Sequence, residues 1–200
     1  MPESSARRLK DMITDMKKLF LIVLPLVAFC HASAAQEVSI STNAVDYANL
    51  GTLNVEASYA LARHWCMTAG LKYNPFTWKA DNDAGVMQNR QAVYAAGVRY
   101  WPWHVYSGWW MAAKGQYQLY NIGGISSLET QEGDRFGAGV AAGYSYMLHK
   151  HLNLELGVGA WGGLDRFTLY SCPRCGRIVR EGDDFFFMLN DVLLSVTYVF

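Results

Sequence analysis

Cys172 and Cys175 frame the sharpest chemical motif of the chain, Cys-Pro-Arg-Cys-Gly over residues 172–176. That spacing, with a glycine after the second thiol, matches one knuckle of a rubredoxin or zinc ribbon, where thiolates hold a tetrahedral metal. A complete centre needs two more ligands. After residue 35 the only other cysteine is Cys66, read below as one residue into a strand at the opposite end of the molecule. The pair is therefore half a metal site. A local Cys172–Cys175 disulfide is the simpler chemistry for an exported loop. It closes a short ring and so stabilises little. A redox-active pair would need a thioredoxin-like βαβ setting, which the flanking residues do not offer. No cofactor is expected.

Four histidines follow residue 35: His64, His104, His149 and His151. All fall in short polar turns. They could form a metal or pH-sensing cluster, since imidazole titrates near neutral pH; the plainer reading is polar turn residues. A lipid hydrolase or acyltransferase working at the other end of the molecule would need a histidine beside a serine or an acid there. None is expected there. The long connections carry Asp81, Asp83, Glu129, Glu132, Asp134, Asp165, Glu181, Asp183 and Asp184, together with Lys79, Arg90, Arg166, Arg174, Arg177 and Arg180. Such carboxylates could bind Ca²⁺ and such cations could pair with lipopolysaccharide phosphates. Scattered charge of this kind more commonly means a solvated loop surface. Phe185-Phe186-Phe187 reads as the start of the last strand or as an apolar contact for a partner.

The elements that position these residues are strands. The chain ends Val192, Leu194, Val196, Tyr198, Phe200, with Asp191, Leu193, Ser195, Thr197 and Val199 between them. One face of that strand is wholly apolar and its last residue is aromatic, as in the closing strand of a bacterial outer-membrane barrel. Tyr198 and Phe200 then read as the signal taken up by the outer-membrane assembly machinery.

The other end of the chain agrees. Met16-Lys17-Lys18 opens a basic region, Leu19 to Phe29 is apolar, and Ala32-Ser33-Ala34 and Ser33-Ala34-Ala35 are small-residue cleavage signals. Residues 16–35 read as a signal peptide cut near Gln36, too short and wrongly flanked for a membrane helix. Residues 1–15 read as an over-called start. Cys30 raises lipidation, but Phe29 stands where a lipobox needs Gly, Ala or Ser. The remaining residues 36–200 hold 12 basic and 14 acidic side chains, a net charge of −2. No polybasic patch exists, so nucleic acid is not an expected partner.

Alternation with period two recurs through residues 36–200. The apolar faces are Val38, Ile40, Thr42, Ala44; Leu53, Val55, Ala57, Tyr59; Trp65, Met67, Ala69, Leu71, Tyr73; Ala92, Tyr94, Ala96, Val98, Tyr100; Trp109, Met111, Ala113, Gly115, Tyr117, Leu119; Phe136, Ala138, Val140, Ala142, Tyr144, Tyr146; Leu152, Leu154, Leu156, Val158, Ala160; and the terminal strand. That makes eight strands, an even number that leaves both termini on one side, the periplasmic one. The opposite faces carry Asn54, Glu56, Ser58, Thr68, Lys72, Arg99, Lys114, Gln116, Gln118, Arg135, Asn153, Glu155 and Asp191, with glycines such as Gly143 and Gly157 that make room for bulky neighbours. Polar inside and apolar outside inverts the soluble barrel. Interior charges of both signs predict a plugged lumen.

The connections alternate in length. Those at 62–64, 102–105 and 148–151 are short, and those at 74–89, 121–134 and 162–184 are long and rich in Gly, Asp, Asn and Ser. Short periplasmic turns and longer extracellular loops fix the orientation. Asn49-Leu50-Gly51 is a short outer exception. Aromatic girdles are expected from Trp65, Trp101, Trp103, Tyr106, Tyr146 and Phe200 on the periplasmic side. Tyr47, Tyr73, Phe76, Trp78, Tyr120, Trp161 and Phe167 supply the outer one.

Tyr73-Asn74-Pro75-Phe76, Arg99-Tyr100-Trp101, Asn121-Ile122-Gly123-Gly124-Ile125 and the 172–176 motif occur in that order. The ordered set resembles the small outer-membrane proteins of Bacteroidales catalogued as domain of unknown function 3575. That resemblance implies an outer-membrane barrel without assigned activity and supplies no catalytic residues.

The resulting expectation is an all-β, eight-stranded antiparallel outer-membrane barrel, set in the lipid bilayer beside lipopolysaccharide. Its role would be structural or a surface contact with a glycan or protein, without catalysis. The alternatives are a lipid-modifying enzyme and a narrow channel. Oligomeric state and ligand are not legible in the sequence.

Overall fold

The computed structural model describes residues 38–79, 86–125, 129–171 and 177–200. The signal segment, Asp81, Asp83, Arg174 and the Cys172–Cys175 pair lie outside the described residues, as do Gly176 and residues 1–15. The elements in order are β1 (Val38–Asn43), α1 (Ala44–Ala48), β2 (Leu53–Ala62), β3 (Trp65–Asn74), β4 (Thr77–Lys79), β5 (Val86–Tyr100), β6 (Gly108–Gly123), β7 (Thr130–His149), β8 (Leu152–Tyr170) and β9 (Ile178–Val199).

Every strand pairing is antiparallel. The sheet runs β3-β2-β1-β9-β8-β7-β6-β5, and the β3–β5 pairing closes it into an eight-stranded barrel, with β4 a short flap on β5. A cross-strand row starting at Ser41 passes Glu56, Gly70, Ala95, Gln116, Gly137 and Gly163 and arrives at Phe186. Yet the partner of Ser41 on β9 is Thr197, eleven residues away. One of the eleven is the β9 bulge opposite Gly159–Trp161. A stagger of about ten residues over eight strands about 4.8 Å apart tilts the strands by about 40°.

The polarity of the two faces is inverted as the alternation requires. Large apolar side chains such as Trp109, Val140, Leu156, Val158, Phe187 and Leu189 are exposed on the outer surface, while Ser39, Arg99, Gln116, Asn153, Glu155 and Asp191 are buried inside. A row of outward residues runs Leu71, Tyr94, Tyr117, Phe136, Leu164, Phe185. The next row away from the termini runs Tyr73, Ala92, Leu119, Asp134, Arg166, Asp183. On β7 to β9 the outer face therefore changes from apolar to charged in one step.

Three expectations need correction. Residues 121–134 and 162–184 are largely strand among the described residues, because β6 to β9 continue their ladders well past the last apolar outer row, through pairs such as Gly133↔Phe167 and Leu169↔Arg180. Apart from Thr130 and Asp165, which are buried, its described side chains are half-exposed or exposed on both faces, so its sequence carries little period-two signal and reads as loop. Ala44 does not extend the first strand. Asn43 caps α1 by accepting a hydrogen bond from Val45 N, and Leu50 and Gly51 then take positive φ values of 52° and 80° to turn back into β2. Finally, Trp101, Tyr106, Tyr120 and Trp161 do not join girdles but are buried, each 4% exposed or less. Exposed aromatics remain at the terminal end in Trp65, Trp103, Tyr146 and Phe200, and at the far end in Tyr47, Phe76 and Trp78.

Candidate functional site

The lumen collects most of the chain's buried charge, in three layers. At the terminal end the β5–β6 connection folds inward. Trp101 N donates to His64 O (2.8 Å) and Val105 N to Arg63 O (3.0 Å). Tyr106, at φ 65°, offers its carbonyl to Asn153 Nδ2 (2.6 Å) and Ser145 Oγ (3.3 Å). Cys66, Trp101, Val105, Tyr106, Trp110 and Val199 pack together here. The Trp101 indole N–H points at Cys66 Sγ at 3.4 Å, so this thiol is enclosed, as its lumenward register implies.

Above that plug lies Arg99, which donates to Glu155 Oε2 at 2.9 Å and to Glu56 Oε1 at 2.7 Å. Its guanidinium lies 4.3 Å from the centre of the Trp110 ring, a cation–π contact in a dry setting. Glycine makes this stack possible: a Cβ on Gly143 would lie 2.5 Å from Trp110 Cζ2, and one on Gly157 2.9 Å from it.

The middle layer is a cavity of about 60 Å³ lined by Lys72, Lys114, Asp46, Asp191, Glu56, Glu155 and Arg99 among others. That is room for a few water molecules. Lys114 bonds to Asp191 Oδ2. Lys72 Nζ lies 2.9 Å from Asp46 Oδ1 and 3.9 Å from Asp191 Oδ1. The far-end layer pairs Arg135 Nε with Asp165 Oδ2 (2.9 Å), and Tyr120 donates its hydroxyl to Asp165 Oδ1 (2.7 Å). Arg135 also covers the Tyr120 ring at 4.0 Å, and Trp161 meets Phe186 edge-on at 4.5 Å.

Of the charged lumenal residues expected from the sequence, Arg99 pairs with Glu56 and Glu155, and Lys114 and Lys72 meet Asp191, whereas Arg135 pairs with Asp165 and Lys72 also with Asp46, which the sequence did not place in the lumen. The structure leaves the others apart. His64, His104 and His151 each place Nδ1 on a backbone carbonyl, of Trp101, Val105 and Val199, at 2.8, 3.1 and 2.8 Å. They fasten turns at the terminal end. Among the described residues no group of three His, Cys, Asp or Glu side chains is placed to hold a metal. On the ribbon, Arg166–Asp183 and Arg180–Asp184 are 3.9 and 3.2 Å pairs between solvent-exposed side chains, which stabilise little. Phe185 and Phe187 are exposed, whereas Phe186 points inward.

Three contributors escaped the sequence reading, among them Asp165, which the sequence placed in a long connection and which is buried against Arg135 and Tyr120. Trp110 was hidden behind the outward Trp109. Asp46 sits three residues after Asn43, a helix-capping spacing that marks α1 in retrospect. Asn43 is the fastening point: Oδ1 accepts from Leu194 N (2.9 Å), and Nδ2 donates to Val192 O (3.0 Å) and Asp46 Oδ2 (3.1 Å).

Comparison with curated proteins returns no match, and neither does comparison with solved structures. The family model described as "Protein of unknown function (DUF3575)" matches residues 19–200, and the chain, with its closed eight-stranded barrel, belongs to that family.

Proposed function

We propose that this protein is a small outer-membrane barrel with both termini in the periplasm, that it catalyses no reaction, and that its β7–β9 ribbon contacts a glycan, lipopolysaccharide or a protein at the cell surface. The observation that carries the reading is the inverted polarity. On β7 the outward apolar run spans Tyr146 to Phe136. At about 3.4 Å per residue and about 40° of tilt, that run rises about 25 Å, the height of a barrel's lipid-facing band. The same rise ends at the charged row of Asp134, Arg166 and Asp183. The short turns lie at the terminal end and the long ribbon at the other, which supports the orientation.

Packed ends of the lumen speak for a plug rather than a conduit. Histidines fastened to backbone carbonyls at the terminal end speak against acid–base chemistry at the ribbon. The test is fractionation of cells producing the native chain, followed by protease treatment of intact cells. We expect the protein in the outer membrane with cleavage confined to the ribbon. Recovery from the soluble periplasm would overturn the reading. Step conductance in planar bilayers would favour a channel, and altered lipid A mass in a deletion strain would favour an enzyme.

A further inference from the structure

Past the row of Asp134, Arg166 and Asp183 the polarity of the wall reverses. Thr77, Gln88, Asn121 and Glu132 share the outer face there. Thr77 Oγ1 donates to Gln88 Oε1 (3.5 Å), Gln88 Nε2 to Asn121 Oδ1 (2.6 Å) and Asn121 Nδ2 to Glu132 Oε2 (3.3 Å). Alternation sends their chain neighbours to the inner face, which continues the lumen wall. Phe76 and Trp78 flank Thr77, Met87 precedes Gln88, and Ile122 follows Asn121. Phe167 and Leu169 follow the inward Asp165 on β8 with the same parity. None of these six apolar side chains is buried; Phe76 is 40% exposed and Trp78 48%. The Phe76 and Trp78 rings lie 6.1 Å apart, and Phe76 leans toward Gly51, where a Cβ would stand 3.5 Å from its ring.

Polar groups interrupt these rings, so the inner face is not one continuous apolar patch. Gln131 Nε2 donates to Tyr120 Oη at 3.0 Å. Arg180 lies 5.2 Å from the centre of the Phe167 ring and donates to Asp184 at 3.2 Å. The cross-strand partners of Phe167 are Gly133 and Gly182, which set no side chain against its ring. The inner side is balanced in charge: Arg180 pairs with Asp184 and, one layer below, Arg135 with Asp165. On the outer side Glu132, Asp134, Glu181 and Asp183 outweigh Arg90 and Arg166. A phosphate-bearing ligand therefore finds repulsion outside and no unmatched cation inside. Sugar hydroxyls both donate and accept, as do a carboxamide and a guanidinium–carboxylate pair, and flat aromatic rings take the C–H face of a sugar. We propose that the inner face of the flap and ribbon, around Phe76, Trp78, Phe167, Gln131, Arg180 and Asp184, is a binding site for neutral sugar units of a glycan. This rests on the surface-contact reading above and assigns that contact a face and a ligand class.

The test probes an array of neutral polysaccharides, acidic polysaccharides, lipopolysaccharide with its outer sugar chain, and lipid A. The purified full chain is kept in an amine-oxide detergent, so that no sugar head group competes. We expect retention on neutral glycans. Retention on free polysaccharide or only on the sugar-bearing lipopolysaccharide identifies the source, and both support the site. Phe167→Ala and Trp78→Ala should each weaken retention about tenfold, the scale of one lost aromatic contact. Thr77→Ala, on the outer face, should leave it unchanged. Arg180→Gln, at an exposed position, carries the same expectation as Phe167→Ala if that variant loses its heat-modifiable gel band. No retained neutral glycan overturns the proposal, as does retention of acidic glycans or lipid A alone. Undiminished retention by the folded ring variants also overturns it. None of these results moves the protein out of the outer membrane or changes its cleavage on intact cells, so the surface-contact reading stands or falls separately.

Discussion

Arg99 of β5 and Glu155 of β8 meet across the lumen at 2.9 Å, both nearly excluded from solvent at 7% and 4% side-chain exposure. Strands that are not neighbours in the sheet are thereby joined through the interior. Such a pair is a weak source of net stability when intact, because desolvation offsets the attraction, but leaving one charge alone is costly. Arg99→Met should therefore destabilise the barrel by about 3 kcal/mol, with Glu56 contributing less because it is partly exposed. Adding Glu155→Gln should recover part of the loss. Urea unfolding in micelles, followed by tryptophan fluorescence, measures both. A double variant no more stable than Arg99→Met would show that the pair does not act as a unit.

The indole of Trp110 needs the absence of side chains at Gly143 and Gly157. Gly157→Ala, whose Cβ would meet the Trp110 ring before any other atom, should cost about 1–3 kcal/mol as overpacking. Gly115 supplies the control, because a Cβ there meets nothing nearer than Ala96 O at 4.0 Å. Equal effects of the two substitutions in the same unfolding assay would remove the role assigned to the Trp110 stack.

A closed barrel pairs every wall strand and resists SDS until heated. The native protein is expected to run at a different mobility before and after boiling. A single unchanged band would argue against a closed barrel in detergent.

Phe200 N donates to Val38 O at 2.9 Å, and the Phe200 ring packs edge-on to Tyr198 at 4.9 Å, yet the side chain stays exposed on the outer surface. Deleting Phe200 should sharply lower the amount of protein reaching the outer membrane while changing urea stability by under about 1 kcal/mol, the scale of one exposed hydrogen bond. Unchanged surface abundance would remove its role as an assembly signal.

The purified protein is expected to carry a Cys172–Cys175 disulfide and no stoichiometric metal. Replacing both with Ser should leave assembly and heat-modifiability intact, because the ladders of β1 to β9 hold the fold without them. Intact mass with and without reductant, together with elemental analysis, decides this. One zinc or iron per chain would overturn the disulfide. One metal per two chains would point to two such pairs joined in a dimer.

The sequence by itself determined the class of the fold and which way each barrel side chain faces, since alternation is local: Glu56, Arg99 and Glu155 could be placed inside, and Val140, Leu156 and Val158 outside, from parity alone. Parity says nothing about which residues meet across the lumen. That depends on the ten-residue stagger and the tilt it imposes, which bring Arg99 to Glu155 and Lys72 to Asp46. Nor could parity show that Ala44–Ala48 would coil rather than extend, because the helix answers to the Asn43 contacts with Val192 and Leu194, about 150 residues away. The β8–β9 ribbon was hidden for the opposite reason: past Asp165 its ladder is stabilised by backbone hydrogen bonds and its side chains are exposed or half-exposed on both faces, so they carry little period. Trp101, Tyr106, Tyr120 and Trp161 looked like interface aromatics until the lumen, floored by an inward turn and spaced by glycines, proved wide enough to bury them.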